Sequence, residues 1–134
     1  MNILAADNDQ ILHKDNYEYR LKAGFIHSGN GMSEEEVAGL SSAIDIDTLL
    51  AYRLDVGKRT RSIITSLQPE QLKAKISTER IKRLSEEQAV KASEQWLIEY
   101  WGNKSIAGLV LMPATRHNFM HLNKSMRIKH KLQG

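Results

Sequence analysis

The stretch DIDTLLAYRLDVGKRTRSIITSL, residues 45–67, predicts a helix of about six turns. Its apolar side chains recur at intervals of three and four, which places them on one face of a helix. This stripe comprises Ile46, Leu49, Val56, Ile63 and Leu67, and Leu50 and Ile64 widen it. Asp45 or Asp47 can cap the first turn. Pro69 ends the helix, because the residue before a proline avoids helical backbone angles.

Shorter helices are predicted on both sides of this stretch. Upstream, residues 29–31 (GNG) predict a loop. Ser33 follows as an N-cap, with Glu36 three residues later in the position of a capping box, and the helix it starts runs to about Leu40. Downstream, residues 69–75 (PEQLKAK) predict one short helical turn.

Two further helices are predicted toward the C-terminus. In residues 84–103 (LSEEQAVKASEQWLIEYWGN), Ser85 and Gln88 repeat the capping signal, and Gly102 follows the helix end. The last helix covers residues 105–132 (SIAGLVLMPATRHNFMHLNKSMRIKHKL). One stripe along it contains Ile106, Val110, Pro113, His117, His121, Lys124 and Ile128. The proline in this stripe either kinks the helix or restarts it.

These segments predict an all-α fold, since none shows the alternation and turn signals of a strand. Long amphipathic helices joined by short connections favour an antiparallel four-helix bundle. A length of 134 residues favours one domain, residues 1–134. The segment MNILAADNDQIL, residues 1–12, is too short for a bundle helix and reads like the end of a helix that begins earlier.

The composition excludes several classes of function. Without cysteine the chain has no disulfide, no thiolate nucleophile and no cysteine-ligated zinc. This agrees with a reducing, cytoplasmic location, as does an N-terminus without the basic segment of a secretory signal. No apolar run approaches the roughly 20 residues of a membrane span, so no membrane association is predicted.

Charge is unevenly distributed, although the net charge is only +3. Residues 101–134 carry six lysines and arginines and no acidic side chain. Cations that complement a helix C-terminus, or a solvated face, account for this. An anionic ligand is the alternative. Nucleic acid is disfavoured as a partner, because residues 124–131 contain no aromatic side chain that can stack on a base.

The pair His117 and His121 is the main candidate for a site. Residues four apart on a helix project from the same side, so two imidazoles can converge on one ion. This is not the metalloprotease motif, whose glutamate is replaced here by Asn118. Nor does a pair complete a site, since catalytic zinc sites typically use three protein ligands. Two half-buried histidines bonded to backbone or glutamate remain the alternative.

A third ligand is not evident from spacing. His130 lies nine residues beyond His121 on the same helix, too far along the axis to share an ion at about 1.5 Å per residue. His13 and His27 precede the first certain helix and are the remaining histidine candidates. Nothing in the spacing places either of them beside the pair.

Three segments together resemble DinB-like proteins: GNGMSEEEVAGLS (29–41), the stretch 45–67, and LIEYWGN onward to the leucine at 132 (97–132). The resemblance implies a four-helix bundle that binds a divalent metal, nickel or zinc, through three histidines. Two of these belong to an H-x-x-x-H on the last long helix and correspond to His117 and His121. The third belongs to a Trp- and His-rich stretch near the N-terminus that this sequence lacks. The first bundle helix is accordingly expected to be missing or incomplete.

The resemblance also implies functions. A metal-dependent, thiol-dependent transferase, isomerase or hydrolase acting on a small molecule is the first. Arg116 is then a candidate to hold an anionic substrate group, with a surface salt bridge as the alternative. Tyr52 and Arg53 are candidates to line the same bundle interior, where Tyr52 would contact substrate, and core packing is the alternative for Tyr52. The alternative is a non-catalytic helical module with a degenerate metal site. A bundle without its first helix would expose an apolar face, so a homodimer is predicted.

Overall fold

The computed structural model describes residues 1–134 and confirms the all-α prediction. The α-helices are α1 Asn2–Ala6, α2 Tyr17–Arg20, α3 Glu34–Ala43, α4 Ile46–Ser66, α5 Thr78–Glu86, α6 Trp96–Gly102, α7 Ile106–Leu111 and α8 His117–Gln133. Short 3₁₀ helices cover Lys14–Asn16, Pro69–Lys73 and Ala92–Glu94, and a π-helical turn covers Met112–Arg116. One isolated antiparallel bridge joins Lys75 and Ser105.

The predicted caps of α3 and α4 are confirmed. The Ser33 hydroxyl accepts a hydrogen bond from the Glu36 N–H (3.2 Å), and the Glu36 carboxylate accepts one from the Ser33 N–H (2.7 Å). Asp45 accepts from the N–H of Thr48 at 2.8 Å and so caps α4. Each cap satisfies amide donors that the first turn of a helix leaves unpaired. Local signals therefore determine where these two helices begin.

The predicted helix from Ser85 is wrong. Ser77 caps a helix that already ends at Glu86, because Gln88 adopts a left-handed backbone with φ 49°. The chain then turns and re-enters a helix at Trp96. The side chains that follow the turn, Ala89 and Val90, are buried. Burial of this apolar pair in the core offsets the cost of interrupting the helix.

The core lies where α1, the C-terminal half of α4, α5, α6 and α7 meet. Its twelve buried residues are Ile3, Leu4, Ala5, Ile63, Ile76, Leu84, Ala89, Val90, Leu97, Ile98, Ile106 and Leu109. A second cluster of Ile11, Tyr17 and Leu21 packs against the N-terminal half of α4. Charged side chains join α1 to α5, since Arg80 donates to the carbonyls of Leu4 and Ala5 at the end of α1.

Arg83 holds the segment after α1 against α5. Its guanidinium donates to Asp7 (2.9 Å), Asp9 (3.0 Å) and Glu87 (2.7 Å). These three carboxylates would repel one another without the shared cation between them. Arg83 thus fixes the course of the chain between the first and the second cluster.

The helix continues through Pro113 by way of the π-helical turn. Proline has no N–H, so the regular bond to the carbonyl four residues earlier is lost. Side chains form other bonds along this turn: the Thr115 hydroxyl donates to the carbonyl of Leu111 (2.7 Å), and the Asn118 amide donates to that of Ala114 (3.1 Å). A wide turn of this kind changes the direction in which the residues after it project.

Helix α8 projects beyond the core. It has no buried residue, and every side chain from Phe119 to the C-terminus is exposed. The prediction of one buried stripe from Ile106 to Ile128 is therefore correct only for its first turns, as Ile106 is buried and Ile128 is 50% exposed. The four-helix bundle of DinB-like type and the single domain stay predictions. None of the helices combines the length and apolar character needed to cross a membrane.

Candidate functional site

The first turn of α8 brings His117 and His121 together. Their Nε2 atoms lie 2.8 Å apart, and the ring centroids are 4.5 Å apart at an interplanar angle of 71°. A hydrogen bond of this kind needs one ring to carry its proton on Nε2 and the other on Nδ1. Both side chains are exposed. The alternative of half-buried histidines bonded to backbone or glutamate does not describe them, because they contact each other in solvent.

The spacing of these two nitrogens fits a shared metal ion. At metal–nitrogen distances of about 2.0–2.1 Å, two nitrogens at a right angle about the ion lie about 2.9 Å apart. At a tetrahedral angle they lie about 3.4 Å apart. The observed 2.8 Å is close to the first arrangement, and rotation of either exposed ring reaches the second. His117 and His121 can therefore supply two ligands without any change in the backbone of α8.

The other candidate ligands are engaged elsewhere. The Nδ1 atom of His13 lies 2.6 Å from the carboxylate of Glu18. His27 stacks on Phe25, with centroids 4.5 Å apart, and its Nδ1 accepts the N–H of Gly29. No group of three or more His, Cys, Asp or Glu side chains is arranged to hold a metal ion. The structure thus brings two of the four candidate histidines together.

The predicted substrate-binding residues lie in different surroundings. Arg116 ends the π-helical turn next to the histidine pair and is exposed, with no ion pair. Tyr52 lies on α4, where its ring packs edge-on against Tyr17 with centroids 5.2 Å apart. Desolvation by burial raises the pKa of the Tyr52 hydroxyl above its ordinary value. Tyr52 is therefore a neutral donor and acceptor near neutral pH.

A groove of about 660 Å³ opens beside Tyr52. It is lined by residues of α1, by one face of α4 and by the segment from Pro113 to Asn118, together with Trp101 and Leu109. Tyr52 and Arg53 both line this groove, whereas Arg116, His117 and His121 do not. The role of Tyr52 in substrate binding stays a prediction. Reasoning from sequence missed the groove itself, since its walls come from segments that are far apart in the chain. The sequence feature that could have indicated the groove is Gly57 in the middle of α4, because a glycine leaves the helix surface there without a side chain.

A second, more polar depression of about 440 Å³ lies around His13. It is lined by Asn8, Asp9, Ile11, His13, Lys14, Arg59 and Glu87. Its cations and carboxylates partly neutralise one another, and Asp9 and Glu87 already bind Arg83. Neither positive nor negative charge is therefore in excess in this depression, so it does not attract a ligand of the opposite charge.

Comparison with known proteins does not extend these observations. No family model, no curated protein and no solved structure matches this chain.

Proposed function

We propose that this chain is a divalent-metal-binding helical protein of DinB-like type, with His117 and His121 as two of its metal ligands. The 2.8 Å separation of their Nε2 atoms is the observation that carries the proposal. Because both rings are exposed, further ligands can come from outside the chain: from substrate, from water or from a second copy. Nickel or zinc fits this donor set, since imidazole is a common ligand of both.

The enzymatic form of the proposal is a metal-dependent transferase, isomerase or hydrolase acting on a small molecule. A bound divalent ion would supply Lewis acidity, or a water or thiol of lowered pKa. Arg116, adjacent in sequence to the first histidine and free of an ion pair, can orient a carboxylate or phosphate of the substrate. In this proposal the pair itself holds the ion.

Metal content measured by elemental mass spectrometry tests this proposal. The protein is purified without chelators and without a histidine tag, then supplied with nickel or zinc and desalted. We expect about one ion per chain, or about one per two chains if copies share it. The variants His117→Ala and His121→Ala are each expected to lose the ion, because a lone exposed imidazole binds weakly.

His130→Ala is the matched control, since His130 lies exposed on the same helix without a histidine partner. It should retain the metal of the unmodified chain. If His117→Ala keeps its full metal content, or if His130→Ala loses as much as the pair variants do, the proposed site is wrong.

A second candidate is the non-catalytic helical module that acts as a homodimer. The exposed apolar residues of α8 favour it: Phe119, Met120, Leu122, Met126, Ile128 and Leu132 are each at least 50% exposed. Side chains of this size on one projecting helix are typical of an interface. Light scattering at micromolar concentration distinguishes the candidates, because a metal-free dimer supports the module and a metal-free monomer contradicts it.

A further inference from the structure

Twelve of the 22 residues that line the groove beside α4 are hydrophobic. We call this apolar part its floor, and it includes Ile3 and Leu4 of α1, Val56 and Ile64 of α4, Trp101 and Leu109. Its volume of about 660 Å³ lies within the range of about 300–1,000 Å³ that is usual for small-molecule sites. A floor of this composition favours the apolar part of a ligand over a small polar anion.

The charged side chains along the groove are all of one sign. Arg53 and Arg61 line it, and no aspartate, glutamate or lysine does. Both arginines are exposed, and neither guanidinium forms an ion pair or a hydrogen bond within the chain. They lie eight residues apart on α4, about 12 Å along the helix axis. A free guanidinium at the rim is suited to a carboxylate, which it binds through two parallel hydrogen bonds.

We propose that this groove binds an amphipathic carboxylate of the fatty-acid class. The apolar chain lies along the floor, and the carboxylate is held at the rim by Arg53 or Arg61. The site is separate from the proposed metal site, since neither His117 nor His121 lines the groove. The inference therefore does not depend on the metal.

Charge argues against α8 of a second copy as the occupant. That helix carries Lys124, Arg127, Lys129 and Lys131 and no acidic side chain, so it would meet two unpaired arginines of like charge. A neutral lipid would satisfy the floor but would gain no charge-assisted contact from either guanidinium. An amphipathic anion satisfies both parts of the groove.

Isothermal titration calorimetry with dodecanoate, below its micelle concentration, tests the proposal on the full chain. Dodecanol, the neutral compound with the same chain, is the comparison ligand. We expect one saturable site for dodecanoate and about tenfold weaker binding of dodecanol, the effect of one charge-assisted contact. Replacing both rim arginines, as Arg53→Gln with Arg61→Gln, should weaken dodecanoate about tenfold and leave dodecanol unchanged.

Arg59→Gln is the matched control, because Arg59 lies on the same helix but lines the polar depression around His13. It should bind dodecanoate like the unmodified chain. The proposal is wrong if dodecanol binds as tightly as dodecanoate, if the control weakens binding as much as the double variant, or if neither ligand saturates.

Gly57→Leu tests the floor independently of charge. Gly57 lines the groove, and a Cβ at this position meets no atom within 4 Å. A leucine therefore fits the helix and raises its helix propensity, while its side chain fills the groove. We expect unchanged helicity by circular dichroism and at least about tenfold weaker binding of both ligands.

Undiminished dodecanoate binding by the leucine variant would overturn the assignment to this groove.

Discussion

The core region, residues 1–111, and helix α8, His117–Gln133, differ in what holds them in place. Every buried residue lies between Ile3 and Leu109, and α8 contains none. The core region is positioned by contacts between segments distant in sequence. The conformation of α8 depends on its own backbone hydrogen bonds and on the π-helical turn before it.

This difference bears on the two proposed sites. The histidine pair depends on helical spacing alone, so its geometry persists wherever α8 remains helical. The groove depends on the packing of α1, α4 and α7, so it is lost when the core is disrupted. Conditions that loosen the core should therefore abolish ligand binding in the groove before they abolish metal binding at the pair.

The largest effect is expected from a core substitution compared with the same substitution in α8. Leu109 is 2% exposed, and Leu109→Ala should lower the free energy of unfolding by about 2–5 kcal/mol. Leu122 is 61% exposed, and Leu122→Ala should change the free energy of unfolding by about 0.5 kcal/mol or less. Urea denaturation followed by circular dichroism measures both. Equal losses would show that α8 is buried against another surface and would end the distinction between the regions.

Any loss of stability at acid pH should come from the core region, because α8 has no carboxylate side chain. The Tyr17 hydroxyl donates to Asp55 at 2.7 Å and holds the pKa of that carboxyl below its ordinary value. A carboxyl with a lowered folded-state pKa stabilises the fold above its unfolded pKa of about 3.9. That stability is lost as pH falls through the lower, folded-state value.

Denaturation measured from about pH 6 to about pH 3 checks this expectation. The unmodified chain should lose stability progressively below about pH 4. Asp55→Asn should show a smaller decrease over the same range, and Tyr17→Phe should resemble it because the hydroxyl donor is gone. A decrease as steep in both variants as in the unmodified chain would assign the acid sensitivity to other carboxyls, such as Glu36, whose pKa Lys91 lowers.

The smallest effect is expected from removing α8 altogether. A chain that ends at Arg116 loses no buried residue. The free energy of unfolding of the core region should therefore change by about 0.5 kcal/mol or less. Metal binding should disappear with the two histidines. A large loss of stability would show that α8 supports the core through contacts with another copy.

Much of the local structure was predictable from sequence because it depends on neighbours in the chain. The capping box at Ser33, the cap at Asp45 and the convergence of His117 with His121 all involve residues three or four apart. The helix break at Gln88 was not predictable in this way. A sound capping signal at Ser85 was overridden because burial of Ala89 and Val90 in the core requires a turn there.

The sequence by itself determined the helical class, the starts of α3, α4 and α7, the end of α4 and the spacing of the histidine pair, since each follows from short-range hydrogen bonding and helical spacing. Only the tertiary structure decided which apolar stripes are buried. Ile46 of α4 and Ile128 of α8 belong to clear stripes, yet they are 59% and 50% exposed. It also decided that Arg53 and Arg61 flank an apolar groove rather than forming ion pairs. Burial requires a second surface, and which surfaces meet depends on packing between segments that sequence spacing does not relate.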